Sequence, residues 1–109
     1  MILSSLERKY RMPSRPDRWS AFRILAQTYA LDILDALNKR PLRFTDLEEF
    51  GPNEKTRSQR LKELESRDMI TTVSLKIGKR FFVHYTLTSR GRAVLLKSKE
   101  LVELARLPF

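Results

Sequence analysis

The chain has 109 residues, no cysteine and one histidine, His84, and its 22 Lys and Arg against 13 Asp and Glu give a net charge of +9. That length fits one domain with its own core. The missing thiols exclude disulfide frameworks, thiol nucleophiles, thiol sensing and thiolate metal sites, and a lone imidazole excludes histidine clusters, so neither a metal nor a cofactor is expected.

No apolar run is long enough for a membrane span, and Met1-Ile2-Leu3 breaks into Ser4, Ser5 and Glu7 without a signal-peptide pattern. A cytoplasmic protein with no membrane partner is expected. The positive charge points to a polyanion, nucleic acid ahead of an acidic membrane surface. Its distribution is one-sided: residues 21–52 lean acidic, whereas residues 71–92 carry Lys76, Lys79, Arg80, Arg90 and Arg92 and no acid.

Residues 1–16, with Pro13 and Pro16 among several arginines, read as an irregular basic arm, and 17–109 as the folded domain. From about Asp17 to Lys39, Phe22, Ala26, Tyr29, Ala30, Ile33 and Leu37 recur at steps of three and four, which predicts one long helix closed by Pro41. Ile24, Leu25, Leu31 and Leu34 fall off that face and read as apolar surplus. A short second helix is expected from Thr45, with Glu48 completing a Thr-x-x-Glu capping box, up to the turn Phe50-Gly51-Pro52. Asn53 caps a third helix to about Arg67, with Leu61 and Leu64 inward. Two short helices about a Gly-Pro turn are a helix-turn-helix pattern.

Two alternating runs follow, Val73-Leu75-Ile77 and Phe81-Val83-Tyr85-Leu87, joined through Gly78-Lys79-Arg80 as a hairpin with a basic tip. Thr88 or Ser89 caps a last helix holding Val94, Leu95, Leu101, Val102 and Ala105. The fold class is α+β and mostly helical, a winged helix-turn-helix.

A helix fits the major groove of B-DNA. With Leu61 and Leu64 inward, Lys55, Gln59 and Lys62 fall on the opposite face, with Thr56 flanking. Gln pairs with adenine through two bonds, and Thr contacts a thymine methyl or a phosphate. Arg60 lies at the edge of the buried arc, as a phosphate contact or an internal anchor. Lys76, Lys79 and Arg80 are placed to follow a phosphate backbone or enter the minor groove. Trp19 reads as a packing anchor, and His84 as an outward strand residue or a local hydrogen-bonding one. No paired-acid, nucleophile–base or phosphate-loop constellation is present, so no enzyme is expected.

Three segments carry a family resemblance: Arg43-Phe44-Thr45-Asp46-Leu47, Ser58-Gln59-Arg60-Leu61-Lys62-Glu63-Leu64-Glu65, and Tyr85-Thr86-Leu87-Thr88-Ser89-Arg90-Gly91. Residues 28–96 resemble the winged helix-turn-helix regulators, most closely the HxlR-like branch of the MarR superfamily. The resemblance implies a homodimer on a palindromic operator, probed by Lys55, Thr56, Gln59 and Arg60 with Lys79 and Arg80 as the wing; Arg57 and Ser58 complete the helix positions. It implies a transcription regulator, a repressor by analogy, with no effector ligand indicated.

The chain departs from that pattern at Arg57, where an aliphatic is usual. Either its stem runs along the core edge or the helix is turned so that Arg57 joins the DNA face. The wing is also shorter than is common in the branch, and the cysteine that some members carry before the first helix is absent. The apolar surplus predicts the dimer surface: Phe22 and Leu25 from the first helix, with Val94, Leu101, Val102 and Ala105 from the last. Two other readings are a non-specific DNA or RNA binder of chromatin or ribosomal type, and a protein-interaction winged helix.

Overall fold

The computed structural model describes residues 18–108; the basic arm 1–16 lies outside the described residues. The chain runs α1 (Ser20–Leu25), α2 (Ala30–Lys39), a 3-10 helix (Thr45–Phe50), α3 (Glu54–Ser66), β1 (Ile70–Ile77), β2 (Arg80–Leu87) and α4 (Ser89–Arg106). This is a winged helix: a helical core, a two-stranded antiparallel ribbon and a closing helix.

The single helix expected over 17–39 is two. Backbone at Tyr29 takes φ 71, in the left-handed region, which no helix interior contains, and α2 starts anew at Ala30. The break re-aims the apolar residues. Leu34 is fully buried with Ala30, Ile33 and Leu37, and Ile24, Leu25 and Leu31 pack at the core margin. Much of the apolar surplus assigned to the first helix is therefore internal packing.

The second element is a 3-10 helix, and the Thr45 capping box does not form. Phe44 already has helical dihedrals (φ −53, ψ −43), so Thr45 lies inside the turn rather than at the extended position a cap needs. Asp46 closes this end instead, its carboxylate accepting from the Arg43 backbone N–H at 2.9 Å. Leu47 drops into the core.

Helix α3 begins as the sequence predicts. Asn53 is extended, and its Oδ1 accepts from the N–H groups of Lys55 (2.8 Å) and Thr56 (3.2 Å). It ends in a Schellman turn: Met69 N–H donates to Leu64 O at 3.0 Å and Asp68 N–H to Glu65 O at 2.9 Å, with Asp68 left-handed at φ 57. That turn sends the chain straight into β1 and fixes where the ribbon leaves the core.

The strands pair from Ile70–Leu87 to Ile77–Arg80, leaving Gly78-Lys79 as a two-residue turn. Gly78 has φ 64, at the place where a type II′ hairpin turn takes glycine. Leu42 adds an isolated bridge on the outer side of β2, exchanging backbone hydrogen bonds with Tyr85 (Leu42 N–H to Tyr85 O 3.0 Å, Tyr85 N–H to Leu42 O 2.7 Å).

Thr88 starts α4. Its hydroxyl accepts from Gly91 N–H (2.9 Å) and donates to Asp68 O (2.6 Å), and its own N–H donates to Met69 O (3.1 Å). One residue thus ties the last helix to the turn that precedes the ribbon. Leu95 enters the core, and Lys99 Nζ reaches Asp35 on α2 at 2.9 Å. Beyond Ser98 the helix stands clear of the core, with Leu101, Val102, Leu104 and Leu107 exposed. Among the described residues no helix is long and apolar enough to cross a membrane.

Candidate nucleic-acid interface

Helix α3 turns Leu61 and Leu64 inward and leaves Lys55, Gln59 and Lys62 exposed, while Thr56 and Ser58 are half-buried at the flank. The helix therefore offers one polar face whose N-terminal turn is pinned by Asn53. The exposed cations of the ribbon, Lys76, Lys79 and Arg80, stand on a separate projecting element.

Arg57 does not belong to that polar face. It is buried, with 3% of its surface exposed. Its Nε donates to Gly51 O at 2.8 Å, one terminal nitrogen donates to Phe44 O at 3.1 Å, and the guanidinium lies 4.3 Å from the centre of the Phe44 ring. The planar fork suits this task, satisfying two carbonyls and stacking on an aromatic at once. Arg57 thereby joins the start of the 3-10 helix, the turn and α3. The position remains an inward one, filled by a long cation where the family resemblance leads one to expect an aliphatic.

Arg60 is an internal anchor as well. Its Nε donates to Thr28 O at 3.0 Å and a terminal nitrogen pairs with Glu63. At the other end of α3, Arg67 donates to Ser20 Oγ at 2.7 Å. The recognition candidate is thus strapped at two points to the segment that carries α1.

Sequence reasoning missed several features. Arg43 places its guanidinium 4.8 Å from the Phe82 ring, in the outer half of the ribbon. Of the two roles the sequence allows His84, outward or locally hydrogen-bonded, the structure takes the second: the ring is buried, with Nδ1 2.9 Å from Phe82 O. Tyr85, half-buried beside it, has its phenol pKa raised, by burial first and then by the negative charge of Glu65. Trp19, expected as a packing anchor, is exposed, with Arg18 at 4.9 Å and Phe22 at 6.0 Å from its ring.

The residues expected at a dimer surface fall into two sets. Leu25 and Val94 are half-buried, whereas Phe22, Leu101, Val102 and Ala105 are exposed. Phe22, Leu25, Val94 and Leu101, with Ala21 and Ala93, line a groove of about 350 Å³ between α1 and α4.

The sequence profile of the HxlR-like helix-turn-helix family matches residues 24–107, most of the chain. The chain belongs to the HxlR-like helix-turn-helix family. This HxlR-like chain is similar to the reduced form of the transcriptional regulator YodB from B. subtilis, with 32% identity over 83% of this chain and 89% of that one and a TM-score of 0.70. It is also similar to ytfH from Salmonella typhimurium, a transcriptional regulator by its description, with 29% identity, coverage of 78% and 77%, and a TM-score of 0.64.

A MarR-family regulator from Enterococcus faecalis V583 shares the fold at 21% identity, with coverage of 84% and 88% and a TM-score of 0.66. No curated protein matches. The HxlR-like proteins are helix-turn-helix transcription regulators rather than enzymes.

Proposed function

We propose that this protein is a sequence-specific duplex-DNA regulator that works as a homodimer on a palindromic operator and represses by occupying it. The observation that carries the reading is the capped, exposed face of Lys55, Gln59 and Lys62 beside a ribbon with no acid between residues 71 and 92. Lys55, Thr56, Ser58, Gln59 and Lys62 work in the major groove, Gln59 reading a base edge. Lys76, Lys79 and Arg80 neutralise phosphate. Arg57 and Arg60 hold the helix in place and touch no DNA.

Phe22, Leu101, Val102 and Ala105, over the half-buried Leu25 and Val94, form the dimer contact. The two-fold axis then sets the recognition helices about one DNA turn apart, ~34 Å, with half-sites repeating at ~10 bp or a multiple. Such a regulator acts in the cytoplasm, on the nucleoid. The arm 1–16 adds a further basic segment for the DNA backbone.

Fluorescence anisotropy titrations over a range of salt test this. Replacing Lys79 and Arg80 with alanine lowers the slope of log affinity against log salt by about 1–2 units, because each phosphate contact releases about 0.9 counterion. Gln59→Ala relaxes discrimination at one or two base pairs per half-site by about 1–3 kcal/mol. Equal affinity for random DNA, a selected site and structured RNA would refute sequence-specific binding.

A further inference from the structure

The ribbon carries more apolar surface than contact with phosphates requires. Val73, Leu75, Ile77, Phe81 and Val83 are all exposed, and Phe81, at 67%, is the most open of the large apolar side chains among the described residues. The pairing places Phe81 opposite Lys76 on one face of the ribbon, with the Lys76 ammonium 6.0 Å from the ring centre. Arg80 precedes it and Lys79 sits in the turn. The outermost buried residue of the ribbon is His84, paired with Val73, and the Ile77–Arg80 pair lies four steps beyond, about 13 Å further out. An aromatic ring thus stands near the free end of a projecting arm, with Lys76 across from it on the same face, Lys79 and Arg80 just before it in the chain, and no acid on the arm.

Which surface does that end fit? Burying the ring against an apolar protein face would strip water from Lys76, Lys79 and Arg80 without supplying counter-charge. A duplex answers both needs: phosphates flank each base step, and an unstacked step offers an apolar face to the ring. We propose that Phe81 is a wedge that enters the minor groove between two base pairs, unstacks them and bends the operator. The inference rests on the DNA-regulator reading above. Side chains of this type open base steps and kink duplexes by about 20–90°. Pyrimidine–purine steps open most easily, so the wedge adds preference for such a step without a hydrogen bond to any base.

The probe is a short duplex selected from a random-sequence pool by the wild-type protein, with 2-aminopurine substituted at each adenine in turn. A fluorophore pair at its ends reports bending. With wild type bound, 2-aminopurine fluorescence rises several-fold at one step per half-site and the ends draw together. Phe81→Ala abolishes both signals and keeps the salt slope; Phe81→Leu, still an apolar wedge, keeps most of the bend; the Lys79 and Arg80 double alanine variant lowers the slope. Phe81 is exposed, so its replacement leaves the core intact. A bound duplex that stays stacked, or bends equally with Phe81→Ala, overturns the wedge alone. So does a Phe81→Ala variant that changes only sedimentation, which assigns the ring to protein contact. A wild-type protein that binds no duplex overturns the regulator reading and the wedge with it.

Discussion

Gly91 is the position where one added carbon does the most damage. It lies in the first turn of α4, and a Cβ there would sit 1.9 Å from Met69 O, 2.8 Å from Met69 C and 3.0 Å from Leu87 Cδ2. The first two contacts are backbone, so no side chain can swing aside. Restoring an ordinary carbon–oxygen separation of about 3.3 Å moves the helix start by roughly 1.4 Å. That shift pulls on the bonds from Thr88 to Met69 O and Asp68 O.

Overpacking of this kind costs about 1–3 kcal/mol and each weakened hydrogen bond about 1, while alanine in a helix returns about 1 over glycine. The net for Gly91→Ala is a loss of about 2–4 kcal/mol. For a domain of this size that lowers Tm by roughly 10–20 °C. Thermal unfolding followed by circular dichroism, at one fixed protein concentration, checks it. A Tm within about 2 °C of wild type would refute the reasoning and mean that α4 does not sit hard against the Met69 carbonyl.

Arg57→Met strands the Gly51 and Phe44 carbonyls and costs about 1–3 kcal/mol in urea unfolding, and Arg57→Lys recovers little because an ammonium lacks the fork. Leu101→Glu with Val102→Glu places carboxylates on the proposed dimer face and yields monomers by sedimentation; operator binding is lost with the dimer while weak non-specific affinity stays. The raised Tyr85 phenol sets an alkaline limit: below about pH 10 it is neutral in both states, and above that the unfolded chain ionises first, so stability falls. Tyr85→Phe removes part of that fall, read as the difference between the two proteins' stability–pH curves.

The order of elements was legible from periodicity, and the α3 start from Asn53 alone. Local backbone decided what was not. Nothing in Ala26-Gln27-Thr28-Tyr29 signals a left-handed residue, since the position holds neither glycine nor asparagine, and the heptad-like spacing ran straight through it. Thr45 looked like a cap because capping text is short; the helical dihedrals of Phe44 cannot be read from residue types. The buried Arg57 defied the rule that charged side chains face water, because its partners are carbonyls that exist only after the turn forms.

The exposure of the ribbon follows from its residue types and its turn. A two-residue turn at Gly78-Lys79 fixes Val73 opposite His84, which puts Val73, Leu75 and Ile77 on one face and Phe81 and Val83 on the other. Apolar residues on both faces of a projecting hairpin already announce exposed grease.

The Leu42 bridge gives the ribbon two unlike edges. Because Tyr85 turns its N–H and C=O toward Leu42, its partner Thr72 must turn its own away from β2, and the alternation of an antiparallel pair carries that outward sense to Ser74 and Lys76. Thr71, Val73, Leu75 and Ile77 face β2 instead. In heavy water β1 should therefore exchange its amides in an every-other-residue pattern, with Thr72, Ser74 and Lys76 fast, while the outward amide of Tyr85 on the sister strand exchanges slowly under Leu42. Read along the chain, that alternation marks an edge from which water, or any later-arriving strand, can reach the wing.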